Sequence, residues 1–153
     1  LYQVSDQLRL SLNYAYTDAS LSEDYIINPP TVAAAEGTRI PGSSKHMFSL
    51  FVDWQRPLTS GIDLLVNADY RYVSSRVNSL TGQGIQGGRP PISSADVVNL
   101  SAGMNHDNGV TVSLFATNLF DERSIQEQGT IAALDRITMN RPRTIGLRAS
   151  YQF

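Results

Sequence analysis

Thr144-Ile145-Gly146-Leu147-Arg148-Ala149-Ser150-Tyr151-Gln152-Phe153 alternates without a break. Ile145, Leu147, Ala149, Tyr151 and Phe153 share one face, and Thr144, Gly146, Arg148, Ser150 and Gln152 share the other. Period-two alternation marks a strand with one apolar and one polar side. An amphipathic strand that finishes on an aromatic predicts an outer-membrane barrel, whose last strand has to close against its first.

Five more segments read the same way. Leu8, Leu10, Leu12, Tyr14 and Tyr16 oppose Arg9, Ser11, Asn13, Ala15 and Thr17. Phe48, Leu50, Val52 and Trp54 oppose Met47, Ser49, Phe51, Asp53 and Gln55. Leu64, Val66, Ala68, Tyr70 and Tyr72 oppose Asp63, Leu65, Asn67, Asp69, Arg71 and Val73. Val98, Leu100, Ala102 and Met104 define a fourth apolar face, and Val110, Val112, Leu114 and Ala116 a fifth. No apolar face so defined contains a charge, whereas the polar faces hold Arg9, Asp53, Asp63, Asp69, Arg71 and Arg148. A charge turned to lipid at mid-depth costs about 2 to 4 kcal/mol, so a lipid wall enforces this exclusion.

Soluble half-buried sheets alternate as well, and three observations separate the two. About ten residues at roughly 3.3 Å each, tilted by about 45°, project to about 24 Å, the height of an outer-membrane apolar band. Soluble strands usually run to only about five or six residues. Residues 56–61 and 106–109 read as tight turns, whereas 18–44, 77–95 and 119–140 are long connections that show no structure of their own in the sequence. Short and long links alternate as periplasmic turns and extracellular loops do. With the long loops outside, Tyr14, Tyr16, Phe48, Tyr70 and Tyr72 fall toward the outer strand ends and Trp54, Tyr151 and Phe153 toward the inner ends, as two interfacial girdles.

Composition excludes several classes. Lys+Arg 12 against Asp+Glu 14 leaves no basic field for nucleic acid, and the absence of Cys removes thiolate chemistry. No run reaches the roughly 20 apolar residues of a spanning helix, so strands must make any crossing. The chain opens on Leu1 with no export signal; the expectation is that earlier strands and a signal precede it, because about six strands are fewer than the roughly eight of a closed membrane barrel.

Arg39-Ile40-Pro41-Gly42 with Lys45-His46, then Asn118-Leu119-Phe120-Asp121-Glu122-Arg123, then Arg141-Pro142-Arg143-Thr144 leading to Tyr151-Gln152-Phe153, occur in that order. In these stretches the chain resembles the C-terminal end of a TonB-dependent outer-membrane receptor. The resemblance implies an all-β, antiparallel, up-and-down transmembrane barrel of about twenty-two strands, of which residues 1–153 supply the last six or so. It implies TonB-coupled uptake of an iron-siderophore complex or a similar scarce nutrient at the outer membrane of a Gram-negative bacterium, with loops 18–44, 77–95 and 119–140 capturing substrate. It also implies an N-terminal plug domain and a TonB-contacting segment, neither of them in this stretch, and no catalytic residues, metal site or cofactor. On this resemblance Asn118, Leu119, Phe120, Asp121, Arg141, Pro142 and Arg143 would be the family motif residues, and Tyr151 with Phe153 would be the signal read by the barrel assembly machinery.

Residues can also be argued without the family. Pro142 lacks a ladder donor and suits the point where a loop enters the sheet. Asn118 and Asp121 can bond nearby backbone and end the fifth strand in a turn. Gly82-Gln83-Gly84-Ile85-Gln86-Gly87 spells a dinucleotide fingerprint, but Gly88-Arg89-Pro90-Pro91 follows it and forbids the helix such a site needs. His46 and His106 lie toward opposite strand ends, too far apart to share a metal. Asp18, Glu23, Asp24 and Glu36 read as solvated loop charge. A passive porin or barrel enzyme, and a soluble β-sandwich, are the rival readings.

Overall fold

The computed structural model describes residues 2–80, 91–131 and 134–153. Among them are eleven strands. A single antiparallel sheet takes β1 (Tyr2–Ser5), β2 (Leu8–Tyr16), β5 (His46–Thr59), β6 (Ile62–Val73), β7 (Ala95–His106), β8 (Val110–Thr117) and β11 (Thr144–Tyr151), adjacent in that order. Two separate hairpins stand off it, β3 (Tyr25–Asn28) with β4 (Thr31–Ala34), and β9 (Ile125–Ile131) with β10 (Leu134–Met139).

The six long strands coincide with the six alternating segments, and β1 adds a seventh. The long links differ from the reading of the sequence: 18–44 and 119–140 each carry a hairpin. The β5–β6 link is also tighter than residues 56–61, because β5 runs through Pro57 to Thr59 and leaves only Ser60 and Gly61 in the turn. The Gly82 to Gly87 fingerprint lies outside the described residues.

Register places the apolar faces on one side of the sheet. Leu8, Trp54, Val66, Ala102, Leu114 and Leu147 form one continuous row, and Leu10, Val52, Ala68, Leu100, Ala116 and Ile145 the next. Among the described residues no second layer covers this side. Leu12, Leu114 and Leu147 are 64%, 58% and 70% exposed, and the only buried apolar residues among those described are Ala33, Ala34 and Ile92. A soluble sandwich would bury such a face against another sheet. Here the apolar side is an outer surface, as in a barrel wall.

The strands are longer than the alternation suggests, and this changes the charge pattern at their ends. By register the apolar side also carries Arg56 opposite Leu64, Asp96 opposite Tyr72, and the two histidines, His46 opposite Tyr16 and His106 opposite Ile62. The exclusion of charge therefore holds through the middle of the sheet and stops at its rims. At about 3.4 Å per residue the twelve residues of β6 or β7 reach about 40 Å, beyond a lipid band of about 25 Å even when tilted. In a membrane wall such polar ends would meet headgroups and water.

Candidate functional site

Two regions bear on function: the polar face of the wall and the corner where β8 hands over to the last long loop. The polar face follows from the alternation, since every second residue of each strand points away from the apolar side. Arg9 and Asp53 are cross-strand partners at 3.8 Å, and Gln55 donates to Asp63 at 3.0 Å. Asp69 accepts from Asn99 Nδ2 at 2.9 Å and lies 3.6 Å from Arg71. These half-exposed pairs contribute about 0 to 1 kcal/mol each, so their consequence is a hydrated wall and not a stabilised one.

Two aromatics interrupt that polarity. Phe51 and Phe115 line a shallow hollow with Asn67, Asp69, Asn99 and Arg148. The Arg148 guanidinium lies 5.6 Å from the Phe115 ring centre. Gly146 is paired opposite Phe115, and a Cβ there would come within 2.5 Å of the ring. Glycine at that position is what lets the ring lie across β11.

The corner contains most of the residues that the sequence singles out. Asn118 is buried and takes a left-handed φ of 51°, a conformation that Asn tolerates better than most residues. Its backbone N–H donates to Asn99 Oδ1 at 2.8 Å, its Oδ1 accepts from the Glu122 N–H at 2.8 Å, and its Nδ2 donates to the Glu122 and Arg141 carbonyls, each at 2.9 Å. Asp121, also left-handed at 55°, accepts the Arg143 N–H at 2.8 Å and Arg123 Nη2 at 2.9 Å. The Arg143 backbone bond, followed by Arg123, holds the Asp121 carboxyl below the usual carboxylate range. Leu119 donates its N–H to Val98 at 2.8 Å, which ties the corner to β7. Pro142 lies two residues before β11, and Phe120 is 73% exposed.

The structure therefore brings Asn118, Asp121, Arg141 and Arg143 together, with Leu119 anchoring the corner through its backbone, while Phe120 makes no comparable contact. They act as a clamp at the base of loop 119–140. Sequence reading missed two members. Asn140 accepts the Ser124 N–H at 2.9 Å and donates to the Glu122 carbonyl at 2.6 Å, and Asn99 bridges Asp69 to Asn118. The available signal for Asn99 was its place on the polar face of the fourth strand, where only the apolar residues were weighed.

The other singled-out residues fall at the rims. Tyr14 OH and His46 Nδ1 are 2.9 Å apart, Tyr16 packs on the same imidazole at 5.3 Å, and Phe48 meets Tyr70 at 5.9 Å. These make the outer aromatic girdle. At the opposite rim Tyr151 and Phe153 are 6.2 Å apart, and the Gln152 N–H donates to Gly109 in the β7–β8 turn at 2.9 Å. His46 and His106 stand at opposite ends of their strands. Asp18 pairs with Lys45 at 3.0 Å, which lowers its pKa, and Asp24 accepts the Glu36 N–H at 2.8 Å.

Residues 2–119 match the family model described as TonB dependent receptor-like, beta-barrel. The chain belongs to that family. Solved structures of receptors share the fold: the siderophore receptor PiuA from Acinetobacter baumannii, at TM-score 0.70 and 17% identity over 96% of this chain; the ferric-catecholate import receptor Fiu from K12 E. coli, at 0.72 and 23% over 98%; and BauA, the ferric preacinetobactin receptor from A. baumannii, at 0.72 and 17% over 98%. This TonB-dependent receptor chain spans only 20%, 19% and 20% of the length of those three proteins. Curated proteins yield no match. The clamp lies across and beyond the end of the family match, since Asn118 and Leu119 fall inside residues 2–119 and Asp121 to Arg143 follow it.

Proposed function

We propose that this segment forms part of the wall and outer loops of an outer-membrane receptor that imports an iron-siderophore complex, or a comparably scarce nutrient, by coupling to TonB. What supports this reading most is the agreement of the staggered sheet, over nearly its whole length, with receptors whose names specify siderophores or ferric complexes. In a Gram-negative bacterium, lipid would cover the apolar side. The polar side would face the barrel interior and an N-terminal plug, in a barrel of about twenty-two strands. Loops 18–44, 77–95 and 119–140 would take hold of substrate together. Their bases include the corner at Asn118, Leu119, Phe120, Asp121, Arg141, Pro142 and Arg143, whose part in capture would be to hold loop 119–140 at a fixed angle. Tyr151 and Phe153 would present the signal that the barrel assembly machinery reads.

The test is uptake. Deleting the gene that carries this chain should abolish accumulation of one class of radiolabelled ferric complex under iron limitation, and removing TonB should do the same. Uptake that continues without TonB would point to a passive pore. A defect confined to a nutrient without iron would keep the receptor and replace its substrate.

A further inference from the structure

In an up-and-down sheet the long connections leave from different strand pairs, and nothing in that order requires them to touch. Their bases are nevertheless joined. Gly42, in the first connection, donates its N–H to the Val77 carbonyl in the second at 2.9 Å, and Arg39 Nη2 donates to Ser43 at 3.2 Å and reaches the Ser75 carbonyl at 3.5 Å. Arg76 stands in sequence between the Ser75 and Val77 acceptors. Its backbone exchanges hydrogen bonds with Ile92 on the returning arm of the second connection, at 3.0 and 2.9 Å, and Ile92 is only 5% exposed. The Arg76 guanidinium then crosses to the third connection and donates to the Gln126 carbonyl. Gln126 Nε2 donates to Ser124 Oγ at 3.1 Å, and Ser124 is bonded in both directions to Asn140, inside the clamp around Asn118.

A path of bonded groups therefore runs from the first connection to the third through one side chain. A charge-assisted bond from an exposed arginine is worth little by itself. Here, however, both of its ends are set in backbone that is already held, so its geometry is fixed without ordering a loose chain. We infer that Arg76 straps the bases of the three long loops into one unit, so that displacing any one of them is transmitted to the other two. The inference rests on the proposed function only for the purpose of such coupling, which would be to let substrate on one loop reposition the others; the coupling itself is independent of what is carried.

Coupling between sites is reciprocal, and this supplies a test with two directions. Amide hydrogen exchange is measured on the intact receptor in detergent micelles, as wild type, Arg76→Ala and Arg39→Ala. With Arg76→Ala, the Leu21, Gly37 and Ile40 amides, all bonded within the first connection, should exchange at least about fivefold faster, the lower end of usual coupling, while β5 and β6 are unchanged. With Arg39→Ala, the Asn140 amide in the third connection should speed up similarly. Acceleration confined to Arg76 and Ile92 in the first variant, or to the first connection in the second, overturns the inference. If Arg76→Ala does not assemble, Arg39→Ala alone decides the matter. Loss of ferric uptake with exchange as expected would leave the strap standing, and normal uptake with unchanged exchange would remove the strap and leave the transport reading intact.

Discussion

At the scale of a residue, Asn118 combines two demands that seldom fall on one side chain. The chain must turn left-handed at the end of β8, and three backbone groups around it lack strand partners. Alanine there would strain the backbone by about 1 kcal/mol and leave the Glu122 N–H and the Arg141 carbonyl short of partners at about 1 kcal/mol each, while the Glu122 carbonyl keeps its bond from Asn140. Asn118→Ala should therefore loosen the corner by about 3 kcal/mol, read as faster exchange of the Glu122 amide, and Asn118→Gly should recover about 1 kcal/mol of that. Asp121 adds a pH dependence. Its folded pKa lies below the ordinary carboxylate value, so in acid the unfolded corner binds more protons than the folded one, and stability there rises with pH. The contribution is complete above an unfolded value of about 4 and disappears as pH falls through the lower folded value. Protection of the Arg143 amide should stay flat from about pH 8 to 5 and fall in stronger acid; in Asp121→Asn that acid step should be missing.

At the scale of the element, the sequence declares what lipid and water sort and conceals what only hydrogen bonds hold. The six long strands were legible because a two-sided environment imposes period two on every residue of β2, β5, β6, β7, β8 and β11. The hairpins were not. Tyr25-Ile26-Ile27-Asn28 is too short to show alternation, and Gln126-Glu127-Gln128-Gly129-Thr130 offers no apolar residue from which a face could be read. Strand ends are blurred for a related reason: Arg56 and Asp96 are on the apolar side by register but at the rims, so the alternation breaks at Arg56, which reads as the start of a turn, and does not extend to Asp96. For the clamp, Asn118 and Asp121 stood out as turn formers, while Asn140, some twenty residues away in the sequence, became visible only when β9 and β10 folded back. The facing assignment makes a direct prediction. Leu12→Arg and Leu114→Arg place a charge mid-strand on the apolar side and should cost about 2 to 4 kcal/mol, seen as loss of the folded barrel band on unheated SDS gels. Arg at the adjacent Ser11 or Ser113 should leave that band in place, and equal loss on both faces would mean that the facing assignment is wrong.

At the scale of the whole molecule, the register carries a quantity that no single strand contains. Leu8 begins β2, yet its row ends at Leu147, with four residues of β11 still to come, the last of them Tyr151. At the other rim, Ile145 is the second residue of β11, yet its row meets β2 at Leu10, six residues short of Tyr16. The sheet is therefore a parallelogram, offset by about four to five residues, or roughly 15 Å, across five strand spacings of about 4.8 Å. Such an offset is the shear of a barrel, and the ratio of the two lengths sets a strand tilt of roughly 30 to 35° from the barrel axis. The same tilt brings Trp54 and Tyr151 to one membrane level although they lie in different rows, and it places Tyr14 and Phe48 above the row of Ile145. Polarised infrared spectroscopy of the intact receptor in oriented bilayers reads the tilt directly. A value near 30 to 40° is expected, in line with membrane barrels generally; strands within about 15° of the axis would mean that the offset is not carried around the barrel, and the two aromatic girdles would then fall at different depths and could not both be interfacial.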